Sequence, residues 1–290
     1  MSRVLLLAAE ENPGTWLDQT REPRYTRRMA SLKSYGQWAL VTGASAGIGA
    51  VFARKLAAEG LNVVLVARRA DRLETLAGEL SRTHGVQTRV LPIDLDREGA
   101  VERIEARVAD VEIGVLVNNA GFSAVGRFER VPREKILGMI RVNCLAVAGL
   151  THAFLPGMTA RRRGAIIIVS SVAGYQPLGF AATYGATKAF DLMLAEALWA
   201  ENKDTGVDVL ALSPGPVDTE FQSVAGETPH PGVTPESVVD VAFAALGKKP
   251  SVIAGGLNKV RTWGVRFAPR AQVARLAMGV MRGFVPDTVR

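Results

Sequence analysis

Residues 38–49 read Trp-Ala-Leu-Val-Thr-Gly-Ala-Ser-Ala-Gly-Ile-Gly, and this stretch decides the fold. The apolar run from Trp38 to Val41 is typical of a buried strand, and helical spacing of apolar residues begins at Val51, after three glycines. A strand, a glycine turn and a helix N-terminus form an anion site, because free backbone N–H groups and the positive end of the helix dipole face the ligand. A tight turn of any α/β protein is the alternative, so the rest of the chain must decide.

Downstream of this stretch the chain alternates between strand-like and helix-like segments. Six short apolar segments favour strands: 38–42, 62–67, 87–92, 113–117, 164–169 and 207–212. Six segments have the spacing of helices: 48–59, 71–83, 97–109, 133–157, 182–203 and 235–246. Strands that are apolar throughout and separated by helices indicate a parallel sheet covered on both faces. Right-handed crossovers then give an α/β domain with a doubly wound sheet and a ligand at the carboxyl ends of its strands.

The chain of 290 residues is 48% hydrophobic, which suits a large core. We predict a poorly ordered extension over 1–36, a single catalytic domain over 37–250 and a basic amphipathic tail over 251–290. Met1 and Met29 are both candidates for the true start.

The single cysteine, Cys144, excludes an internal disulfide and suits a reducing compartment. The sequence shows neither a signal-peptide pattern nor an apolar run of membrane-spanning length. We therefore expect a cytoplasmic protein.

The net charge of +7 is concentrated in the tail, where Lys248 to Arg290 contain nine basic residues and one acidic residue. Apolar residues recur there at helical spacing: Val273, Leu276, Val280, Met281 and Phe284. Such a helix either lies weakly on an anionic membrane or packs on the domain or a neighbouring subunit. No zinc-finger or aromatic RNA-binding motif accompanies the charge, so we expect no nucleic-acid partner. The three histidines, His84, His152 and His230, lack metal-ligand spacing, so we expect no metal site.

The fourth predicted strand ends in Asn118-Asn119-Ala120-Gly121, and asparagine is disfavoured in strands. Buried amides need partners, so we expect them to bridge neighbouring strand ends and to let Gly121 approach a ligand. This motif, together with Thr42 and the Gly-x3-Gly-x-Gly spacing after it, resembles the short-chain dehydrogenase/reductase family over residues 37–250. Surrounding residues are similar to its NADP-preferring branch of 3-oxoacyl and hydroxysteroid reductases. The resemblance implies a Rossmann-type fold and a nicotinamide cofactor.

The resemblance assigns the cofactor a set of contacts along the chain: Gly43, Ser45, Gly47, Ile48, Gly49, Arg68, Asp94, Asn119, Ala120, Gly121, Tyr184, Lys188, Pro214, Gly215, Val217 and Thr219. Ala67 ends the second strand where NAD-selective proteins place an acid, and Arg68 follows it. A guanidinium suits the 2′-phosphate of NADP(H), so we expect that cofactor, with NAD(H) as the alternative. NADP members of the family often carry a basic residue at the position of Ala46, so the choice depends on Arg68. In the family Asp94 binds adenine; a helix N-cap is its other reading.

Tyr184 and Lys188 lie four residues apart and would share one face of a helix. An ammonium favours the phenolate, which brings a tyrosine into the range of acid/base chemistry. The resemblance implies that Lys188 also reaches the nicotinamide ribose, that Ser171 orients the substrate carbonyl, and that Asn143 distorts its helix and completes a proton relay through a water. Ser170 is interpreted as structural.

We expect the substrate pocket to be apolar and to include Phe122, Tyr175 and Phe180, with Val172 and Phe221 beside them. The predicted function is that of an NADP(H)-dependent oxidoreductase that interconverts a ketone or aldehyde and an alcohol. A non-catalytic NADP-binding regulatory protein on the same fold is the alternative. An epimerase or dehydratase of the extended relatives is disfavoured, because their glycine spacing differs and Asn-Asn-Ala-Gly is absent from them. Family members pair through the Tyr184 helix and the helix before it, so a homodimer or homotetramer is expected.

Overall fold

A sheet of seven parallel strands forms the centre of the protein, which is seen here in a computed structural model that describes residues 31–264 and 267–290. The strands are β1 (Trp38–Thr42), β2 (Asn62–Ala67), β3 (Thr88–Pro92), β4 (Ile113–Asn118), β5 (Gly164–Val169), β6 (Val207–Ser213) and β7 (Ser251–Ile253). Their order in the sheet is β3-β2-β1-β4-β5-β6-β7. The order reverses direction between β1 and β4, and in such sheets the ligand crevice lies outside the carboxyl ends at this point. The predicted doubly wound α/β fold is confirmed.

Ten α-helices accompany the sheet in the described part of the chain. They are α1 (Gly47–Ala58), α2 (Ala70–His84), α3 (Ala100–Val108), α4 (Arg133–Ile140), α5 (Ala146–Ala160), α6 (Ala182–Glu201), α7 (Phe221–Ala225), α8 (Pro235–Ala245), α9 (Gly256–Gly264) and α10 (Arg270–Arg282). Alternate residues of β1 enter two separate cores, since Val41 packs with residues of α1 and α8 whereas Leu40 packs on the opposite face. Helices therefore cover both faces, as the uniformly apolar strands require.

The predicted helix over 133–157 is interrupted by a π-helical turn, Arg141–Leu145, between α4 and α5. The segment Arg133–Ala160 is long and apolar enough to span a membrane by length and composition, and it alone meets that test among the described residues. Half of its most apolar window is buried in the protein. It is a core helix, because α5 packs on β4 and β5.

Two segments outside the predicted domain contribute to the fold. Residues 1–30 lie outside the described part, but 31–36, expected to be poorly ordered, contain a 3₁₀ turn (Leu32–Tyr35) with Tyr35 buried in the core. The Tyr35 hydroxyl donates to Asp208 at 2.5 Å. β7, which begins one residue after the expected domain boundary, extends the sheet beside β6.

Candidate active site

The loop between β1 and α1 needs glycine for steric reasons. Gly43 has a φ of +66°, and a methyl group built on it would lie 2.7 Å from Nδ2 of Asn119. A methyl group on Gly49 would lie 2.3 Å from the carbonyl oxygen of Gly43. Helix α1 then starts after Ala46 without a side-chain cap, so its first N–H groups are available to an anion. These residues fit a dinucleotide phosphate, which accepts hydrogen bonds from such a helix start.

Thr42 joins the carboxyl ends of β1 and β4. Its hydroxyl accepts hydrogen bonds from the amides of Asn119 and Ala120, each at 3.0 Å, and donates to the carbonyl of Val117 at 3.2 Å. The Asn119 side chain returns a bond to the Thr42 carbonyl at 2.8 Å. The Asn118 amide instead donates to Thr151 on α5 at 2.9 Å. The two side-chain NH₂ groups thus find acceptors on neighbouring elements.

Arg68 and Arg69, which follow β2, have different surroundings. Arg68 is exposed, whereas Arg69 donates to the Ser45 hydroxyl in the glycine loop, at 3.0 Å from Nη2. Arg69 also pairs with Glu220 at 2.8 Å, and Arg72 pairs with the same carboxylate at 2.6 Å. The Arg69 guanidinium is therefore in direct contact with the phosphate loop.

Asp94 stands at the end of β3 and lines a cavity of about 410 Å³ with residues of α3. Its carboxylate accepts a hydrogen bond from the Asp96 amide at 3.1 Å. Helix α3 begins at Ala100 with Gly99 as its N-cap residue, so the N-cap reading of Asp94 was wrong.

The segment after β6 closes over the glycine loop. A methyl group on Gly47 would lie 3.0 Å from Cγ2 of Thr219, which places Thr219 against the start of α1. Val217 forms an isolated bridge with Val233. Pro214 accepts hydrogen bonds from the Val172 amide at 3.0 Å and from the Ser171 hydroxyl at 3.4 Å. This loop thereby connects the nucleotide loop to the end of β5.

Tyr184, Lys188 and Ser171 meet at the carboxyl ends of the central strands. Lys188 is 4% exposed, and its ammonium donates to the Val169 carbonyl at 2.8 Å. Ser171 follows β5, and its hydroxyl accepts a hydrogen bond from the Ala173 amide at 3.1 Å and lies near Tyr184. Ser170 donates to the Lys188 carbonyl at 2.7 Å, which fits the structural role expected for it.

Burial raises the pKa of Tyr184 above its ordinary value of 10.0, while the Lys188 ammonium and the Ser171 hydroxyl lower it. The expected effect of Lys188 is thus present, but the removal of the phenol from water outweighs it. Burial lowers the pKa of Lys188, but Asp191, with smaller contributions from Tyr184 and Cys144, raises it, so that the pKa lies above its ordinary value.

Asn143 lies fully buried in the π-helical turn. The expectation from the sequence was that Asn143 distorts its helix. Its amide donates to the Phe122 carbonyl and to the Thr187 hydroxyl, each at 3.0 Å. Its Oδ1 accepts from the Phe122 amide at 3.1 Å. A methyl group on Gly121 would lie 3.2 Å from that Oδ1 and 3.5 Å from Nζ of Lys188. The Asn-Asn-Ala-Gly segment and the Tyr184 helix therefore converge at Asn143.

An apolar cluster adjoins the Tyr184 ring. Its buried members are Val125, Ala181, Met281 and Val285, and Leu178, Phe180, Tyr184, Phe284 and Val289 pack against them. The rings of Phe221 and Tyr184 lie 5.6 Å apart. Of the expected pocket residues, Phe180 belongs to this cluster. Tyr175 packs instead against the core on the α6 side, and the Phe122 ring would lie 3.2 Å from a methyl group on Gly138.

Sequence reasoning missed the contribution of the tail to this cluster. Met281 and Phe284 were expected on an amphipathic helix that lies on a membrane or packs on the domain or a neighbouring subunit, and nothing local says which of these surfaces it covers. Sequence reasoning also missed the contacts of Asp191 and Arg69. The spacing of Asp191, three residues after Lys188 on one helix, could have indicated its contact. Over 31–264 and 267–290, no three His, Cys, Asp or Glu side chains are grouped as a metal site would need.

Comparison with known proteins assigns the family. The family model described as short chain dehydrogenase matches residues 37–230. A 7beta-hydroxysteroid dehydrogenase from Collinsella aerofaciens is 38% identical over 240 residues, covering 80% of this chain and 91% of that protein. A very-long-chain 3-oxoacyl-CoA reductase from Anas platyrhynchos is 35% identical and covers 84% and 79%, respectively.

The fold of a solved relative agrees with the sequence comparison. A short-chain dehydrogenase from Sphingobium yanoikuyae, solved in complex with NADPH, has a TM-score of 0.71 at 32% identity and covers 81% of this chain and 97% of its own. The residues of the glycine loop and the converging strand ends fit the nicotinamide dinucleotide that this family binds. The chain therefore belongs to the short-chain dehydrogenase family, as an oxidoreductase that acts on CH–OH groups.

Proposed function

We propose that this protein is an NADP(H)-dependent reductase of bulky apolar ketones, or in reverse a dehydrogenase of the corresponding secondary alcohols. The observation that carries the proposal is the meeting of Tyr184, Ser171 and Lys188 next to the glycine loop. The bound nicotinamide supplies or accepts the hydride. The protein supplies the proton and the geometry, and these roles belong to its own side chains.

Tyr184 is proposed as the acid in the reduction direction and the base in the oxidation direction, with its hydroxyl as the atom that holds the proton. Ser171 holds the substrate oxygen beside that hydroxyl, since its own hydroxyl lies near Tyr184. Lys188 keeps a positive charge near the phenol, and Asn143 fixes the backbone of Phe122 beside it. A positioned acid or base of this kind contributes about 10²–10⁴-fold to a rate.

The preference for NADP(H) rests on charge near the glycine loop. Arg69 reaches Ser45 and Arg72 lies next to it, with Arg68 exposed at the end of β2. A guanidinium binds a phosphate dianion with paired hydrogen bonds, while no acid stands at Ala67 to bind a bare ribose hydroxyl. The solved relative in complex with NADPH supports the same choice.

The apolar character of the substrate is inferred from the cluster of hydrophobic side chains beside Tyr184. Substrates of the related hydroxysteroid dehydrogenase and 3-oxoacyl-CoA reductase, by their names, carry a large apolar body next to a carbonyl or hydroxyl group. We infer a ketone or secondary alcohol of that kind, turned over in the cytoplasm.

Exposed apolar side chains on α4, the π-helical turn and α6 support a homodimer or homotetramer. The exposed set is Leu137, Ile140, Leu145, Phe190 and Met193. Exposed large apolar side chains that lie close together mark an interaction surface.

The proposed function is tested by a screen of NADPH and NADH oxidation over ketones of graded bulk. We expect the highest kcat/KM with NADPH and polycyclic or long-chain ketones. Tight NADPH binding without turnover of any ketone would instead favour the regulatory alternative.

A further inference from the structure

Asp191 is a buried carboxylate that the proposed chemistry has not used. It lies on α6, three residues after Lys188, and has no solvent exposure. Its Oδ2 accepts a hydrogen bond from Nζ of Lys188 at 2.8 Å. Its Oδ1 is buried and has no hydrogen-bond partner in the described part of the chain. The carboxylate is therefore held in place mainly by the ammonium.

The ammonium of Lys188 is fixed from two sides. The Val169 carbonyl at the end of β5 accepts one of its hydrogens at 2.8 Å, and Asp191 accepts another. The third hydrogen is left for the crevice, where a methyl group on Gly121 would approach Nζ to 3.5 Å. A long and otherwise mobile side chain is thus held in a single position next to Tyr184.

An unpaired ammonium in such a place would be costly. A buried charged group without a partner shifts towards its neutral form, and removal of one member of a buried ion pair leaves the charge of the other uncompensated. Asp191 removes that penalty for Lys188. The same negative charge also lies near the phenol of Tyr184 and opposes the effect of the ammonium on it.

We propose that Asp191 is a positioning residue for Lys188, whose carboxylate fixes the ammonium, keeps it charged and so sets the pH range in which Tyr184 exchanges its proton. The inference rests on the proposed function, in which Tyr184 is the acid and base of the reaction. It adds to that function a residue outside the Tyr-Ser-Lys-Asn set.

The charged and titratable groups around the pair come from three elements. Tyr184 and Lys188 lie on α6 with Asp191. Cys144 faces the pair from the π-helical turn, and its pKa is raised to about 11 by burial and then by Asp191. Glu227, after α7, faces Tyr184 and raises its pKa. His230 lies 3.8 Å from the Glu227 carboxylate.

The direction of the effect follows from these charges. A carboxylate disfavours the phenolate and the thiolate and favours the ammonium, so its replacement by a neutral amide lowers the pKa of all three groups. In the oxidation direction the acid limb of the rate profile reports deprotonation of Tyr184, and the alkaline limb reports loss of the Lys188 charge. Both limbs should therefore move towards lower pH when the charge of Asp191 is removed.

The test compares Asp191→Asn with Glu196→Gln in the full chain. Glu196 lies on the same helix but accepts a hydrogen bond from the Ser251 hydroxyl of β7 at 2.6 Å. For alcohol oxidation with NADP⁺, we expect the ratio of kcat at pH 6 to maximal kcat to rise by about threefold or more in Asp191→Asn. The ratio should not change in Glu196→Gln, and Asp191→Glu should restore the wild-type profile. An unshifted profile in Asp191→Asn would overturn the proposal.

A second measurement does not depend on turnover. Cys144 is the single cysteine of the chain, so the rate of its alkylation by iodoacetamide against pH gives one thiol pKa. We expect a pKa of about 11 in the wild type and a lower value in Asp191→Asn. Equal thiol titrations in the two proteins would contradict the placement of the charge. A wild-type protein without turnover but with the expected thiol shift would refute the proposed function and leave the pair intact.

If Asp191→Asn does not fold, the wild-type protein itself provides the test. The side-chain nitrogen of Lys188, assigned by NMR with a Lys188→Arg variant, should remain a charged ammonium beyond the pH at which an unburied lysine loses its proton. A neutral amine below about pH 9 would show that Asp191 does not offset burial and would overturn the inference.

Discussion

The Arg69 guanidinium donates two hydrogen bonds to the Ser45 hydroxyl, at 3.0 Å and 3.3 Å, and so places a cation at the rim of the glycine loop. Arg68, the arginine singled out from the sequence, is exposed. In Arg69→Ala we expect the Kd for NADPH to rise by about 10–100-fold and the Kd for NADH to change less, because a charge-assisted hydrogen bond contributes about 1.5–3 kcal/mol. Fluorescence titration of both cofactors measures this.

Arg68→Ala is the matched control for that prediction. It removes the same charge one residue away, and we expect a smaller loss of NADPH affinity. A larger loss of NADPH affinity in Arg68→Ala than in Arg69→Ala would show that Arg68, the arginine expected from the sequence, binds the 2′-phosphate.

The tail residue Phe284 belongs to the apolar cluster at Tyr184, and its ring lies 4.3 Å from that of His230. In Phe284→Ala we expect KM for a bulky ketone to rise by about tenfold, since the truncation removes a large part of an apolar contact. NADPH affinity should stay unchanged. Steady-state kinetics with Leu276→Ala as control, a tail residue that is 69% exposed, measures the effect. Equal KM values in the two variants would place the substrate elsewhere.

Much of the fold could be predicted from the sequence because its signals are local. Apolar strands and helical spacing gave β1, β2 and β5 with the bounds that the structure has. The three-residue strand β7 could not be predicted, because so short a segment carries no periodicity and its pairing with β6 is a long-range contact.

The candidate site likewise contains some features that could be predicted from the sequence and others that could not. Tyr184, Lys188 and Ser171 could be placed together because the ends of parallel strands share one edge of the sheet. The unusual position of Asn143 was visible, but the π-helical turn that holds it depends on bonds to Phe122 and Thr187 across the fold. Which of two adjacent arginines points to the loop depends on side-chain packing and is not encoded in a motif.

Oligomer formation should depend on the exposed apolar face of α4 and α6. Met193 is 58% exposed on α6. We expect Met193→Glu to shift the protein towards the monomer in light scattering, because a charge on each copy would face its mate across a symmetric interface. Phe128→Glu, at a site 59% exposed outside these helices, should leave the mass unchanged. An unchanged mass in Met193→Glu would exclude this face.

The hypothesis that the tail binds an anionic membrane can be tested at the outer face of α10. Val273 and Met281 are buried on the domain, while Leu276 and Val280 are 69% and 62% exposed beside Arg275 and Arg282. We expect weak flotation with anionic phosphatidylglycerol vesicles at low salt and none with neutral vesicles. The double variant Leu276→Ser, Val280→Ser should lose it. Absence of flotation from the wild type would leave the helix only its packing role.

The central claim is that the Tyr184 hydroxyl carries the proton of the reaction. The most direct test measures turnover and NADPH affinity in Tyr184→Phe, which removes one oxygen and keeps the ring contact with Phe221. The account predicts a fall in kcat of about 10²–10⁴-fold with NADPH binding retained. Turnover within a few-fold of the wild type would contradict it.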